Sequence, residues 1–176
     1  MREKKGFSPL HIIYIAIFSA IMVICSWTSI PSPIPFTLQT MGVVLNLGLL
    51  GGKLGTATIG IYLLLGSIGL PVFSSFGAGF GHLLGATGGF NLGFIFMALI
   101  IWLGTAKTFS YKRLFIFSII GLISLYIFGT AWYCYIYMEK ASFLSAFLIC
   151  VLPFIVPDII KIILGVILVK KIKPYI

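Results

Sequence analysis

The sequence has 176 residues, the size of one domain, and 60% of them are hydrophobic while only 9% are charged. A soluble domain carries about a quarter charged residues. With a mean hydropathy of +1.19, that composition excludes an ordinary soluble fold, a disordered chain and a disulfide scaffold, and makes lipid the main solvent. The net charge of +9 comes from twelve lysines and arginines against three acids, Glu3, Glu139 and Asp158. The placement of the basic residues explains them better than nucleic acid does. Cys25, Cys134 and Cys150 stand in apolar runs without a CxxC pair, and with two histidines there is no metal-ligand cluster.

A membrane helix needs about 20 apolar residues, fewer when it is buried in protein. The first candidate is about Ser8–Ser29. It is longer than the apolar region of a signal peptide, so it is read as a retained membrane helix. Two short candidates follow, Leu38–Leu50 and Leu54–Ser67. They are joined at Gly51-Gly52-Lys53 and predict a hairpin inside a bundle. The remaining three are Gly89–Leu103, Leu114–Tyr137 and Asp158–Val169.

Basic residues then set the sides. Arg2, Lys4 and Lys5 precede the first span, Lys53 lies in the hairpin, and Lys107, Lys112 and Arg113 separate the fourth from the fifth. Lys170, Lys171 and Lys173 follow the last. An even number of spans puts all of these on one side and leaves only Lys140 opposite. By the positive-inside rule the basic side is cytoplasmic. The expectation is an all-α, polytopic membrane helical bundle: one domain over residues 1–176, six transmembrane helices and both termini cytoplasmic.

Three segments then face outward: Ile30–Thr40, Gly66–Gly89 and Met138–Pro157. The first two carry no charge apart from His82. Such avoidance suits loops folded over a ligand or against the bundle. Pro31, Pro33 and Pro35 stiffen the first. Thr37, Gln39 and Thr40 then offer hydroxyl and amide groups. Thr37 is read equally as a helix N-cap, whereas Gln39 is not a favoured cap and needs a polar partner in lipid.

Glycines crowd the second loop, and those at 77, 81, 85, 89 and 93 recur at the four-residue spacing of helix packing. So many glycines argue against one long helix there, and they let backbone groups approach a ligand at Thr87-Gly88-Gly89. The segment matches neither GxxxxGK[ST] nor GxGxxG, so it is no phosphate loop. Irregular backbone at membrane depth must be buried in protein or line a cavity.

Pro153 and Pro157 break the chain before Asp158. Asp158 and Lys161 are three residues apart on one helix face. The pair reads as a dipole-capping, self-neutralising couple or as a functional site, which ionisable residues inside a membrane usually mark. His82 is a possible ligand contact or the partner of a backbone group, and His11 is a second lone histidine. Trp27, Trp102, Trp132 and the tyrosines near Tyr133 read as interfacial belt or core residues. No paired carboxylates, Ser–His–acid set or metal site supports catalysis, and no cofactor is expected.

Pro33-Ile-Pro-Phe-Thr-Leu-Gln-Thr40, Gly69-Leu-Pro-Val-Phe73, Gly85-Ala-Thr-Gly-Gly-Phe90 and Pro153-Phe-Ile-Val-Pro-Asp-Ile-Ile-Lys161 stand in order along the chain. Together they resemble the biotin-specific S components, the BioY family, of energy-coupling-factor (ECF) transporters. The resemblance implies a six-helix bundle in a prokaryotic cell membrane that binds biotin from outside. It also implies partners: a transmembrane coupling protein and two ATPase subunits.

Carried over by position, the family's binding residues fall on Thr37, Gln39, Thr87, Gly88, Gly89, Asp158 and Lys161. The coupling-protein contact falls on Ala16 and Ala20. The chain departs from the family in having Ala86 for a more usual proline, Val156-Pro157 for Pro-Gly, and Asn91 where some members carry arginine. Biotin has a ureido ring with two N–H donors and a carbonyl, an apolar thioether ring and a carboxylate tail. Asp158 can accept from the ureido N–H groups, and Lys161 can donate to the carbonyl or carboxylate. Phe36, Phe73 and Phe90 can cover the apolar body. An S component for another vitamin, a membrane scaffold subunit and a small membrane enzyme are the alternatives.

Overall fold

The structure, a computed structural model, describes residues 8–30, 34–136 and 143–175. Arg2, Glu3, Lys4, Lys5, Pro31, Pro33, Tyr137, Met138, Glu139 and Lys140 of the sequence reading lie outside the described residues.

Helix α1 is Pro9–Trp27. Ser8 Oγ accepts the His11 N–H, the Ser8 N–H donates to His11 Nδ1 at 3.2 Å, and Pro9 takes the first helical position, so both orphan donors are met. His11 is thus part of a helix start. Two-residue strands β1, Ser29–Ile30, and β2, Phe36–Thr37, pair antiparallel with Ser29 opposite Thr37 and Ile30 opposite Phe36. This ladder closes the neck of the proline loop.

Helix α2, Gln39–Ser67, contains a non-helical residue, Gly51, at φ 78° and ψ 173°. That combination of φ and ψ is essentially confined to glycine and costs an L side chain about 1–3 kcal/mol. The consequence is a reversal. A straight helix would separate residues 39 and 62 by about 34 Å, yet Gln39 Nε2 donates to Tyr62 Oη at 2.8 Å. Limbs 39–50 and 52–67 therefore lie side by side as the hairpin the sequence predicts. Near the reversal the Gly48 carbonyl accepts from Lys173 Nζ at 2.6 Å, and the same ammonium stands 3.5 Å over the Phe109 ring.

The glycine-rich segment folds as a 3₁₀ turn, Ser74–Phe76, and a short helix α3, Gly79–Leu83, before α4 at Gly88–Thr105. Helix α5 is Tyr111–Ile136. Two outcomes differ from expectation. Phe143–Cys150, inside a segment read as loop, is a helix, α6. Its eight residues are apolar except Ser145 but give only about 12 Å, far short of a bilayer, which is why span counting misses it. The last helix, α7, is Ile155–Ile172 and starts three residues before Asp158. It accommodates Pro157 because the first turn needs no N–H from it.

Helix α2 packs on α1, α4 and α7; α4 packs on α5; and α5 also contacts α6 and α7. Their shared core includes Met22, Val43, Leu47, Ile59, Met97, Ile101 and Ile162. Among the described residues, five helical stretches are long and apolar enough to cross a membrane: Pro9–Trp27, Gln39–Ser67, Gly88–Thr105, Tyr111–Ile136 and Leu144–Tyr175.

Candidate functional site

The proline-loop neck, the start of α2, the start of α4, the middle of α5 and the first turn of α7 meet at one end of the bundle. Between them lies a polar cavity of about 50 Å³. Its walls include Thr37, Gln39, Thr40, Ser74, Thr87, Phe90, Asn91, Tyr126, Phe154, Asp158 and Lys161.

Asp158 is its electrostatic centre. Only 5% of it is exposed, and Lys161 is 4% exposed. Oδ1 accepts from Lys161 Nζ at 2.8 Å and from Thr40 Oγ1 at 3.2 Å, while Oδ2 accepts from Tyr126 Oη at 2.7 Å. Two charges this deep are tolerable only when paired and hydrogen-bonded. A carboxylate has about four lone-pair sites, so three donors leave room for one more. The Lys161 ammonium also stands 3.6 Å over the Phe36 ring, which is stacked on Phe154 at 6.3 Å. It spends one of its three N–H donors on Asp158, so further donors remain for a ligand.

A second relay holds the amide. Thr37 Oγ1 donates to Gln39 Oε1 at 2.9 Å, Gln39 Nε2 donates to Tyr62 Oη, and Tyr62 Oη donates to Ser26 Oγ at 3.2 Å. The N-cap reading of Thr37 does not hold. Leu38 occupies the cap position, yet the Thr37 hydroxyl also accepts the Gln39 N–H at 3.4 Å.

Of the residues singled out, Thr37, Gln39, Thr87, Phe90, Asn91, Asp158 and Lys161 line the cavity together. Phe36, Phe73, Gly88 and Gly89 do not. Phe73 is fully buried behind the wall, edge-on to Tyr62 at 5.6 Å and stacked on His82 at 5.1 Å. Gly88 and Gly89 serve close approach: a Cβ at Gly88 would fall 1.6 Å from the Leu83 carbonyl oxygen, and one at Gly89 2.3 Å from Trp132 Cβ. His82 pairs with Thr87 across 3.3 Å, and burial holds its imidazole below the usual range. The tryptophans tie down the outer segments, Trp27 Nε1 donating to the Pro71 carbonyl at 2.8 Å and Trp132 Nε1 to that of Gly85 at 3.0 Å. Ala16 and Ala20 stand exposed on α1 beside Ile12, Ile13 and Ile17, on a face that the other described residues leave uncovered.

Tyr126 and Ser74 are the residues sequence reasoning missed. Tyr126 carried one signal, a phenol in the middle of an apolar span where tyrosines usually sit at the ends. Ser74 carried none, because its place depends on Ser75 and Phe76, both at positive φ (55° and 59°), which turn the backbone sharply after it.

Fold and site together define a membrane-embedded receptor for a small molecule with polar groups at more than one point. The chain belongs to the BioY family, whose model matches residues 1–176. It is 37% identical over 160 residues to the probable biotin transporter BioY of Pyrococcus horikoshii, a match spanning 90% of this chain and 93% of that one. It is 36% identical over 165 residues to the biotin transporter BioY of Thermotoga maritima, covering 93% and 95%. Its fold matches a crystal structure of the S component for biotin from an ECF-type ABC transporter with a TM-score of 0.83 and 28% identity, over 96% of this chain and 95% of the other. The resemblance read from four motifs thus holds along the whole length. A transporter family and several apolar helices make this a multi-pass membrane protein.

Proposed function

We propose that the chain is the substrate-binding S component of a vitamin importer. It takes biotin from the outer side and delivers it inward with a transmembrane coupling protein and two ATPase subunits. It binds its ligand without transforming it. The observation that carries this reading is the buried Asp158–Lys161 pair, held by Tyr126 and Thr40 in a cavity that also gathers Thr87 and Asn91. A ureido N–H matches the remaining acceptor site on Asp158, and a carbonyl or carboxylate matches the spare Lys161 donors. Phe90 and Phe154, which line the cavity, suit the thioether ring and aliphatic tail.

A site for a molecule of this size needs about 300 Å³ or more, against about 50 Å³ here. Ligand entry therefore requires a wall to move. Phe154 is the wall we assign, because it lines the cavity at the turn before α7 and is stacked on Phe36 of the proline-loop neck.

The single domain, residues 1–176, is proposed to cross a prokaryotic cell membrane six times with both ends cytoplasmic. The reversal at Gly51 supports the even count, since it turns one of the five long apolar stretches into two antiparallel limbs. The exposed Ala16–Ala20 face of α1 supports a docking role. These residues are one turn apart, and small side chains let a partner helix approach closely in lipid.

Titration calorimetry of the purified protein with biotin, beside thermal unfolding with a vitamin panel, tests the function. Biotin alone should bind and stabilise. Stabilisation by a different vitamin would reassign the substrate, and none by any would leave a scaffold subunit. Cysteine labelling from outside should reach position 140 but not 53 or 110, and labelling at 110 would refute the topology.

A further inference from the structure

A second cavity, of about 380 Å³, lies on the outer flank of the bundle between α5, α6 and α7. Its lining is almost wholly apolar. Along α5 it follows one helical face from Ile119 through Tyr126 to Thr130, opposite Phe147 of α6 and Ile155 and Ile159 of α7. The groove exists because α6 is only eight residues long and the chain breaks after it at Leu152–Phe154, leaving α5 and α7 without a helix between them over part of their length.

Twelve residues of α5, 119–130, give the groove a length of about 16 Å. Its lining offers almost no polar surface to hydrogen-bond a polar ligand, so it suits a hydrocarbon chain. It opens beside Ile123 and Ile127, which are 53% and 65% exposed on the apolar surface of a membrane-crossing helix. The surrounding lipid has direct access.

Tyr126 gives the groove a consequence. It lines both this groove and the polar cavity, and its Oη holds Asp158 Oδ2 at 2.7 Å. We propose that the groove holds one acyl chain of a membrane phospholipid, and that the chain braces the Tyr126 ring from behind so that lipid occupancy tightens ligand binding. The occupant is an acyl chain, with no headgroup contact required. The effect on affinity rests on the biotin reading above; the groove itself does not.

The test uses the full chain reconstituted in phosphatidylglycerol vesicles that contain a phospholipid with a photoreactive diazirine on its acyl chain. Crosslinks mapped by mass spectrometry should concentrate on residues 119–130 and 151–159. Labelling spread evenly over these and exposed positions outside the groove such as Leu103 would overturn the site. Delipidation of the wild type should weaken biotin binding about five-fold or more, the lower end of typical coupling between sites, and phosphatidylglycerol should restore it. Ile123→Trp, which fills the groove from its exposed side, should lose both the concentrated crosslinks and the lipid dependence. Ile127→Trp repeats the test from a second position. Lipid dependence retained in both variants, or an affinity indifferent to lipid in the wild type, would overturn the coupling. A wild type that binds no biotin in any state would refute the proposed function, while the crosslink map would still decide the groove.

Discussion

Replacing Lys161 with methionine separates the two jobs of the buried pair. The ammonium is 2.8 Å from Asp158 Oδ1, with both residues almost fully buried. Without it the carboxylate keeps the hydroxyl donors of Thr40 and Tyr126 but loses its only countercharge among the described residues. Breaking one side of a buried ion pair costs about 3–5 kcal/mol of stability. Asp158→Asn with Lys161→Met removes both charges, and such neutral replacements are often no worse than the pair. The double variant should therefore recover to within about 1 kcal/mol of wild type in a double-mutant cycle. Binding should not recover, because each charge-assisted contact to the ligand is worth about 1.5–3 kcal/mol, or about 10- to 150-fold in affinity. Denaturant unfolding in detergent measures the first quantity and biotin calorimetry the second. If Lys161→Met matches wild type in both stability and affinity, the reasoning from burial fails.

Gly88→Ala should destabilise the junction of α3 and α4 by about 2 kcal/mol or more, because the clash is with the Leu83 backbone, which no rotamer can relieve; thermal unfolding will show it, with weaker biotin binding through displaced Thr87. For His82, burial lowers the folded-state pKa below its ordinary 6.5, so the unfolded chain binds the extra proton first as pH falls. Stability should be level above about pH 7 and decline below about pH 6.5, and His82→Gln should flatten that decline in unfolding measured from pH 7.5 to 5.5. Ala16→Trp and Ala20→Trp should abolish biotin uptake by cells while leaving binding to the isolated protein intact; persistent uptake, or loss of binding, would refute the docking role.

The parts of the site legible in the sequence were those whose chemistry contrasts with lipid. Asp158 and Lys161 stand out because ionisable residues are costly in an apolar run, and Gln39 because an amide there needs a partner. Gly51-Gly52-Lys53 announced a reversal because glycine and a charge interrupt an otherwise apolar stretch. What could not be read was whatever depends on which helix faces which. Tyr126 is unusual as a phenol in mid-span, but its partner, Asp158, is unknown until α5 is laid against α7. Phe73 belongs to a motif at the cavity, yet its apolar side chain has no polar feature to tell the wall from the layer behind it. Helix α6 escaped because the test for a span is length, and it is too short to meet it.

The contacts that close the bundle join residues far apart in the order of synthesis. Thr40 meets Asp158, and Gly48 meets Lys173, each across well over a hundred residues of chain. A ribosome delivers the hairpin of α2 early, with the Gly48 carbonyl near its tip still waiting for a lysine from the far end of the described chain. Until α7 is inserted, the Thr40 hydroxyl has no Asp158 to donate to and the Gly48 carbonyl has no Lys173 to accept from. On the proposed function, a chain that stalls after α5 would present apolar helices to the bilayer but would lack Asp158 and Lys161, so ligand binding waits for the insertion of α7.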